Sequence, residues 1–183
     1  MPEKKNEQLI QVLLNNSALD LYKTILQEYP LRELFSLARQ TEDYRLAFRA
    51  AWTLEHIFLQ QKASIIKYKE DIITLYASSA NESSLRSISK LIIKLLQIAD
   101  QQLTDDEQDN ILEKTFHLIE QEECPVALLV NCWDILHLLS AIQSWIRQEL
   151  KLHITFSLEK NATPASKSRG LRILKKLERI ADT

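Results

Sequence analysis

Apolar residues fall at three- and four-residue intervals along almost the whole chain, in blocks opened by capping residues and not closed by glycine. Leu9, Ile10, Leu13 and Leu14 set out a short first helix. Ser17 is placed to cap a second, carrying Leu19, Leu21, Tyr22, Ile25 and Leu26, and Pro30 ends it while opening a third with Leu31, Leu34, Phe35 and Leu37 on one side. Thr41 then starts a long helix with Glu42 and Asp43 in its first turn, where the helix dipole favours carboxylates. Beyond it the blocks come in pairs: residues 64–77 with 81–100, residues 104–122 with a helix opened by Cys124-Pro125, and residues 144–160 with 163–181. Proline in a first turn gives up an N–H that would have no partner there. One stretch reads differently. LHITFSL (Leu152 to Leu158) alternates apolar and polar like a strand, yet no other segment offers a strand to pair with it, so helix is expected there too.

The pairs keep a register. AAWTLEHI and NCWDILHL each place a tryptophan four residues before a histidine, as Trp52 with His56 and Trp133 with His137. Aligning Ala51-Trp52, Cys132-Trp133 and Gly170-Leu171, with Ser89-Lys90 or Lys90-Leu91 between them, makes the second helices recur about every 40 residues. That period, with two helices per unit, marks HEAT and armadillo arrays. The expected fold is all-α: a right-handed α-α superhelix (a HEAT/ARM-like solenoid) of about four to five helical pairs. One domain would cover residues 1–183, less regular over 1–40 and clearer over 41–183. Ala50, Ala51, Cys132 and Gly170 fall where a second helix would approach its neighbours closely.

Composition narrows the picture. Gly170 is the only glycine in 183 residues, which argues against hairpin-rich sheets and against the glycine-dependent phosphate loops of nucleotide sites. A net charge of −2 supplies no global basic field for nucleic acid. Cys124 and Cys132 lie too far apart on one expected helix for an intramolecular disulfide and read as reduced thiols. No apolar run reaches the ~20 residues of a membrane span, and MPEKKNEQ lacks the apolar core of a signal peptide, so a cytoplasmic protein with no membrane contact is expected.

The segment DYRLAFRAAWTLEHI (Asp43 to Ile57) resembles the signature helix of small bacterial HEAT-repeat proteins. The resemblance continues through PVALLVNCWDILHLL (Pro125 to Leu139), SWIRQELKLHI (Ser144 to Ile154) and SKSRGLRILKKLERI (Ser166 to Ile180), from Asp43 to the C-terminus. Members of that group are often labelled adenylosuccinate lyases. Lyases of that superfamily resemble one another in a mobile loop of GSSxMPxKxNP type. This chain holds no such segment, its sole methionine is Met1, and it is under half the length such a site would need. Lyase activity is not expected.

Candidate binding residues lie on the second helices. Arg45, Arg49, Trp52 and His56 share one face of the helix from Glu42 onward, opposite Ala47, Ala50, Ala51, Leu54 and Phe58. Arginine beside tryptophan is recognition chemistry, a planar donor fork next to a flat apolar surface; the competing reading packs Trp52 away and pairs the arginines with Glu42 or Glu55. Lys90 and Lys94 would extend this groove. The equivalent face of the later helix, Val126, Val130, Trp133 and His137, keeps the aromatics without the charge, which favours structural tryptophans.

Charge is unevenly distributed. Between 104 and 123 stand eight acids (Asp105, Asp106, Glu107, Asp109, Glu113, Glu120, Glu122, Glu123) against Lys114. Near the C-terminus, Lys167, Arg169, Arg172, Lys175, Lys176 and Arg179 form a basic end, either a solvated cap on the last repeat or a contact for an anionic partner. No catalytic residue, metal site or cofactor is expected, because His117 and His153 lack ligand spacing and the serines of ASSANESSL belong to an interhelical turn. The expected function is a non-catalytic scaffold binding a protein through its concave second-helix face. The alternative is nucleic-acid binding of the HEAT-like alkylation-repair glycosylase kind, with Asp134 or Glu55 beside a tryptophan; overall acidity disfavours it. The chain is expected as a monomer or an end-to-end homodimer.

Overall fold

A computed structural model describes residues 2–16, 22, 25, 27–98 and 103–181. Among these are nine α-helices, one 3-10 segment and no strand: α1 (Pro2–Asn15), α2 (Leu31–Arg39), α3 (Tyr44–Gln60), the 3-10 segment (Lys62–Tyr68), α4 (Lys69–Ser78), α5 (Glu82–Ile98), α6 (Asp105–Ile119), α7 (Val126–Leu139), α8 (Ile146–Asn161) and α9 (Pro164–Ala181). The helix expected from Ser17 through Leu26 falls largely outside the described residues, as does the end of the 81–100 helix at Asp100. By its internal contacts the chain forms two compact units, residues 1–95 and 96–183. None of its described helices is long and apolar enough to cross a membrane.

Local chemistry sets the helix ends. Thr104 opens α6 through a reciprocal capping box: its side chain accepts the Glu107 N–H, and Glu107 Oε2 accepts the Thr104 N–H at 2.9 Å. Thr163 and Ser166 exchange a similar pair of bonds ahead of α9. The cap of α3 is Asp43, whose Oδ1 accepts the Leu46 N–H at 2.9 Å, so this helix begins three residues after Thr41. Asp43 therefore satisfies a free N–H directly instead of acting on the dipole from within the first turn. Residues 64–77 are not one helix; a 3-10 segment precedes α4. Cys124 lies in the turn before Pro125 and not on α7, and Cys124 and Cys132 are not joined by a disulfide.

In the first unit, α3 packs on α1 and α2, and the apolar side of α3 is the expected one: Ala47, Ala50, Ala51, Leu54 and Phe58 have no exposed surface. Phe35, Phe58 and Tyr68 form a ring cluster with centroids 5.5–6.1 Å apart that ties α2, α3 and the 3-10 segment together. Such ring pairs add about 0.5–1.5 kcal/mol each beyond the area they bury. Arg39 anchors α2 to α4 with a 2.8 Å ion pair to Asp71.

In the second unit α6 packs on α7, α8 on both α7 and α9, and α7 and α9 pack on each other. The glycine sits at this three-helix junction. A Cβ on Gly170 would lie 2.9 Å from Ile154 Cγ2 and 3.3 Å from both the Leu158 side chain and the Trp133 ring. Hydrogen in place of a methyl is what lets α9 close on α7 and α8. LHITFSL is helical, and its alternation has a physical cause: α8 is apolar on two sides. Ile146, Leu150 and Ile154 are buried, while Leu152 and Phe156 stand in the open.

Candidate functional site

The stripe on α3 is arranged as expected along the helix, but much of it is committed internally. Phe48, Trp52 and His56 form a ladder one turn apart: Phe48 stacks on Trp52 at 6.1 Å with rings 7° from parallel, and His56 meets the indole edge-on at 5.3 Å. The Arg49 guanidinium lies 5.1 Å from the Trp52 ring centre. It also donates from Nε to the Leu13 carbonyl at 2.7 Å and from its terminal nitrogen to the Asn16 carbonyl. Those carbonyls belong to the end of α1, where four acceptors have no helical partner. Arg49 thus caps α1, and burial together with neighbouring Arg45 lowers its proton affinity from the ordinary arginine value. Arg45 is exposed, while Trp52, His56 and Lys94 are half-buried.

Lys90 reaches α3 from α5. Its Nζ meets Glu55 Oε1 at 2.6 Å, so Glu55 pairs with this lysine and not with the arginines of its own helix. The Glu55 side chain is only 5% exposed, and its second oxygen, Oε2, is buried with no hydrogen-bond partner. The two helices enclose a cleft of about 230 Å³ lined by Phe48, Trp52, Glu55, Arg86, Ser87 and Lys90. A buried carboxylate oxygen left unmatched costs about 1–3 kcal/mol, which a donor brought from outside would recover. Its pairing with Lys90 escapes sequence reasoning because the two lie 35 positions apart on different helices, and nothing in the spacing along either helix marks them as partners.

The second W-x-x-x-H copy behaves differently. Trp133 is fully buried, and its indole N–H donates to Nδ1 of His153 on α8 at 3.1 Å, not to His137. His153 Nε2 then donates to the Ile119 carbonyl at 3.2 Å, which fixes the neutral tautomer and joins α6, α7 and α8. Burial lowers the His153 pKa, against an opposing pull from the Ile119 bond and Glu120. His137 is lowered too, first by burial and then by Lys176 and Arg172, and its Nδ1 is buried without a partner.

The basic end is partly neutralised. Arg169 contacts Asp134 at 2.5 Å, and Arg172 approaches the same carboxylate at 3.8 Å. Burial pushes the Asp134 carboxyl up, against the pull of Arg169, Arg172 and Lys176. Lys167, Arg172, Lys175, Lys176 and Arg179 are exposed. A second cleft, of about 280 Å³, opens between the end of α6 and α8, with Ile119, Glu120, Glu122, His153, Phe156 and Lys160 among its walls. Among the described residues no three His, Cys, Asp or Glu side chains come together as a metal-ligating group. Comparison with protein-family models, curated proteins and solved structures finds no match to this chain.

Proposed function

We propose that the chain is a non-catalytic helical-repeat module of HEAT-like type that binds a protein partner through its second helices, with the α3–α5 cleft as the recognition point. The observation that carries this reading is Glu55: a buried carboxylate with one oxygen held by Lys90 and the other unmatched, which lines the same cleft as Phe48 and Trp52. A partner N–H entering the cleft would satisfy Oε2 while its apolar neighbours cover the aromatic wall, the combination of central apolar contact and desolvated polar pairing found at interface hot spots. The repeat character is supported by paired helices whose small residues, Ala50, Ala51, Cys132 and Gly170, are buried in the second helix of each pair.

The test is partner capture from the host cell's extract with the wild-type chain and with Glu55→Gln and Arg86→Glu variants. Glu55→Gln keeps the shape and removes the charge that calls for a donor; Arg86→Glu inverts an exposed charge at the rim. Loss of a wild-type partner from both variants, with unchanged circular dichroism, is expected. Equal capture by both folded variants would remove this cleft as the recognition point. Arg49 is left untouched in the test, because its loss would disturb the end of α1.

A further inference from the structure

We infer that the outward face of α6 and α8 in the second unit is a docking surface for a basic amphipathic helix of a partner protein, independent of the α3–α5 cleft. The first observation is the second apolar side of α8. Trp145, Leu152 and Phe156 are 53%, 59% and 63% exposed, and with Glu149 they stack on one face at helical spacing. An isolated exposed apolar residue is ordinary, but three large ones along one helix face, with a single carboxylate among them, are not. This set extends onto α6, because Phe116 stacks on Trp145 at 5.8 Å with rings 13° from parallel.

The second observation is shape. From Trp145 to Phe156 the stripe runs three helical turns, roughly 16 Å at the usual rise, the reach of a helix docking with anchors at i, i+3 or i+4, and i+7. Its C-terminal end opens into the cleft of about 280 Å³, where Ile119, Val126, Leu129 and Phe156 provide an apolar lining for one anchor side chain.

Charge then selects the occupant. Asp105, Asp109, Glu113 and Glu120 lie on the same stripe of α6 as Phe116, all exposed, with Glu122 following at the cleft and Glu149 set between Trp145 and Leu152. Lys160 is the base that lines the cleft. A second copy in a two-fold contact would set acidic stripe against acidic stripe, which is repulsive. A helix with an apolar face flanked by lysine or arginine meets both requirements at once.

The 183-residue chain is titrated against a fluorescein-labelled Leu/Lys amphipathic peptide and against a Leu/Glu peptide with the same apolar positions, read by anisotropy. The Leu/Lys peptide is expected to bind at least about tenfold tighter, with affinity falling as salt rises. Replacing Leu152→Asp and Phe156→Asp together should weaken it at least about tenfold with helicity unchanged. The surface pair Glu113→Lys and Glu120→Lys, which leaves every apolar contact in place, should narrow or reverse the preference between peptides. Arg86→Glu, in the other unit, should leave peptide binding as it was. The proposal is overturned by equal binding of the two peptides, by no binding of the Leu/Lys peptide, or by binding that neither pair of substitutions alters. It is also overturned if light scattering shows a dimer that the Leu152→Asp and Phe156→Asp pair dissolves, since the occupant would then be a second copy.

Discussion

Replacing Gly170 with alanine sets two known effects against each other. Alanine is favoured over glycine inside a helix by about 1 kcal/mol. Here the added methyl would sit 2.9 Å from Ile154 Cγ2, closer than carbon atoms tolerate, with the Leu158 side chain and the Trp133 ring at 3.3 Å. Leu158 can swing aside, but Ile154 Cγ2 is fixed to a β-branched carbon in a helix and Trp133 is fully buried. Overpacking of this kind costs about 1–3 kcal/mol, so Gly170→Ala should destabilise by about 1 kcal/mol net. Urea denaturation followed by circular dichroism and tryptophan fluorescence measures it. The informative comparison is a double-mutant cycle with Ile154→Ala. That variant alone should cost about 2–5 kcal/mol, but it removes the blocking methyl, so Gly170→Ala in its background should become neutral or stabilising. A coupling of about 1–2 kcal/mol is therefore expected. If Gly170→Ala stabilises the otherwise unchanged chain, or costs the same in both backgrounds, the close approach of α9 to α8 is not what glycine serves.

Arg49→Met keeps the side chain's length and apolar contact with Trp52 but removes both bonds to α1; faster amide exchange over residues 9–14 and a loss of about 1–2 kcal/mol are expected. Lys90→Met leaves Glu55 buried and unpaired. Because the lysine is 40% exposed, the cost should fall below that of a fully buried pair, at about 1–3 kcal/mol, and Glu55→Gln in the same chain should restore much of it. Burial holds His137 and His153 below the ordinary histidine pKa, so between that value and their folded values the unfolded chain binds more protons. Stability should be full above pH ~6.5 and fall below it, by at most about 1.4 kcal/mol per pH unit for each histidine. The raised Asp134 carboxyl acts with the opposite sign, so the check is a urea series from pH 7.5 to about 5.5 on the wild type and on His137→Gln/His153→Gln, in which the variant should show the flatter slope.

The helices were legible because their start signals are local. Thr104 with Glu107, and Thr163 with Ser166, act within one turn, so four consecutive residues contain the whole argument. Asp43 shows the limit of that reasoning: with Thr41, Glu42 and Asp43 side by side, all three can open a helix, and only backbone geometry selects the cap. The role of Gly170 was legible from its place in the register, and the alternation in LHITFSL carried real information that periodicity alone could not interpret. A helix with apolar residues on opposite sides imitates a strand, and the outward set, Leu152 and Phe156, is the one that marks a surface. What stayed hidden were long-range polar choices. Trp133 bonds His153 and not the histidine one turn along its own helix, Arg49 turns to the carbonyls of α1, and Glu55 takes Lys90. Each of these is decided by which helices pack together, and spacing along one helix does not encode that.

The central claim, recognition at the α3–α5 cleft, is tested most directly by hydrogen exchange on the full chain with and without its captured partner. Protection on binding is expected in α3 from Phe48 to His56 and in α5 from Arg86 to Lys90, and it should disappear with Glu55→Gln. Protection confined to other segments, or unchanged by Glu55→Gln, would contradict it.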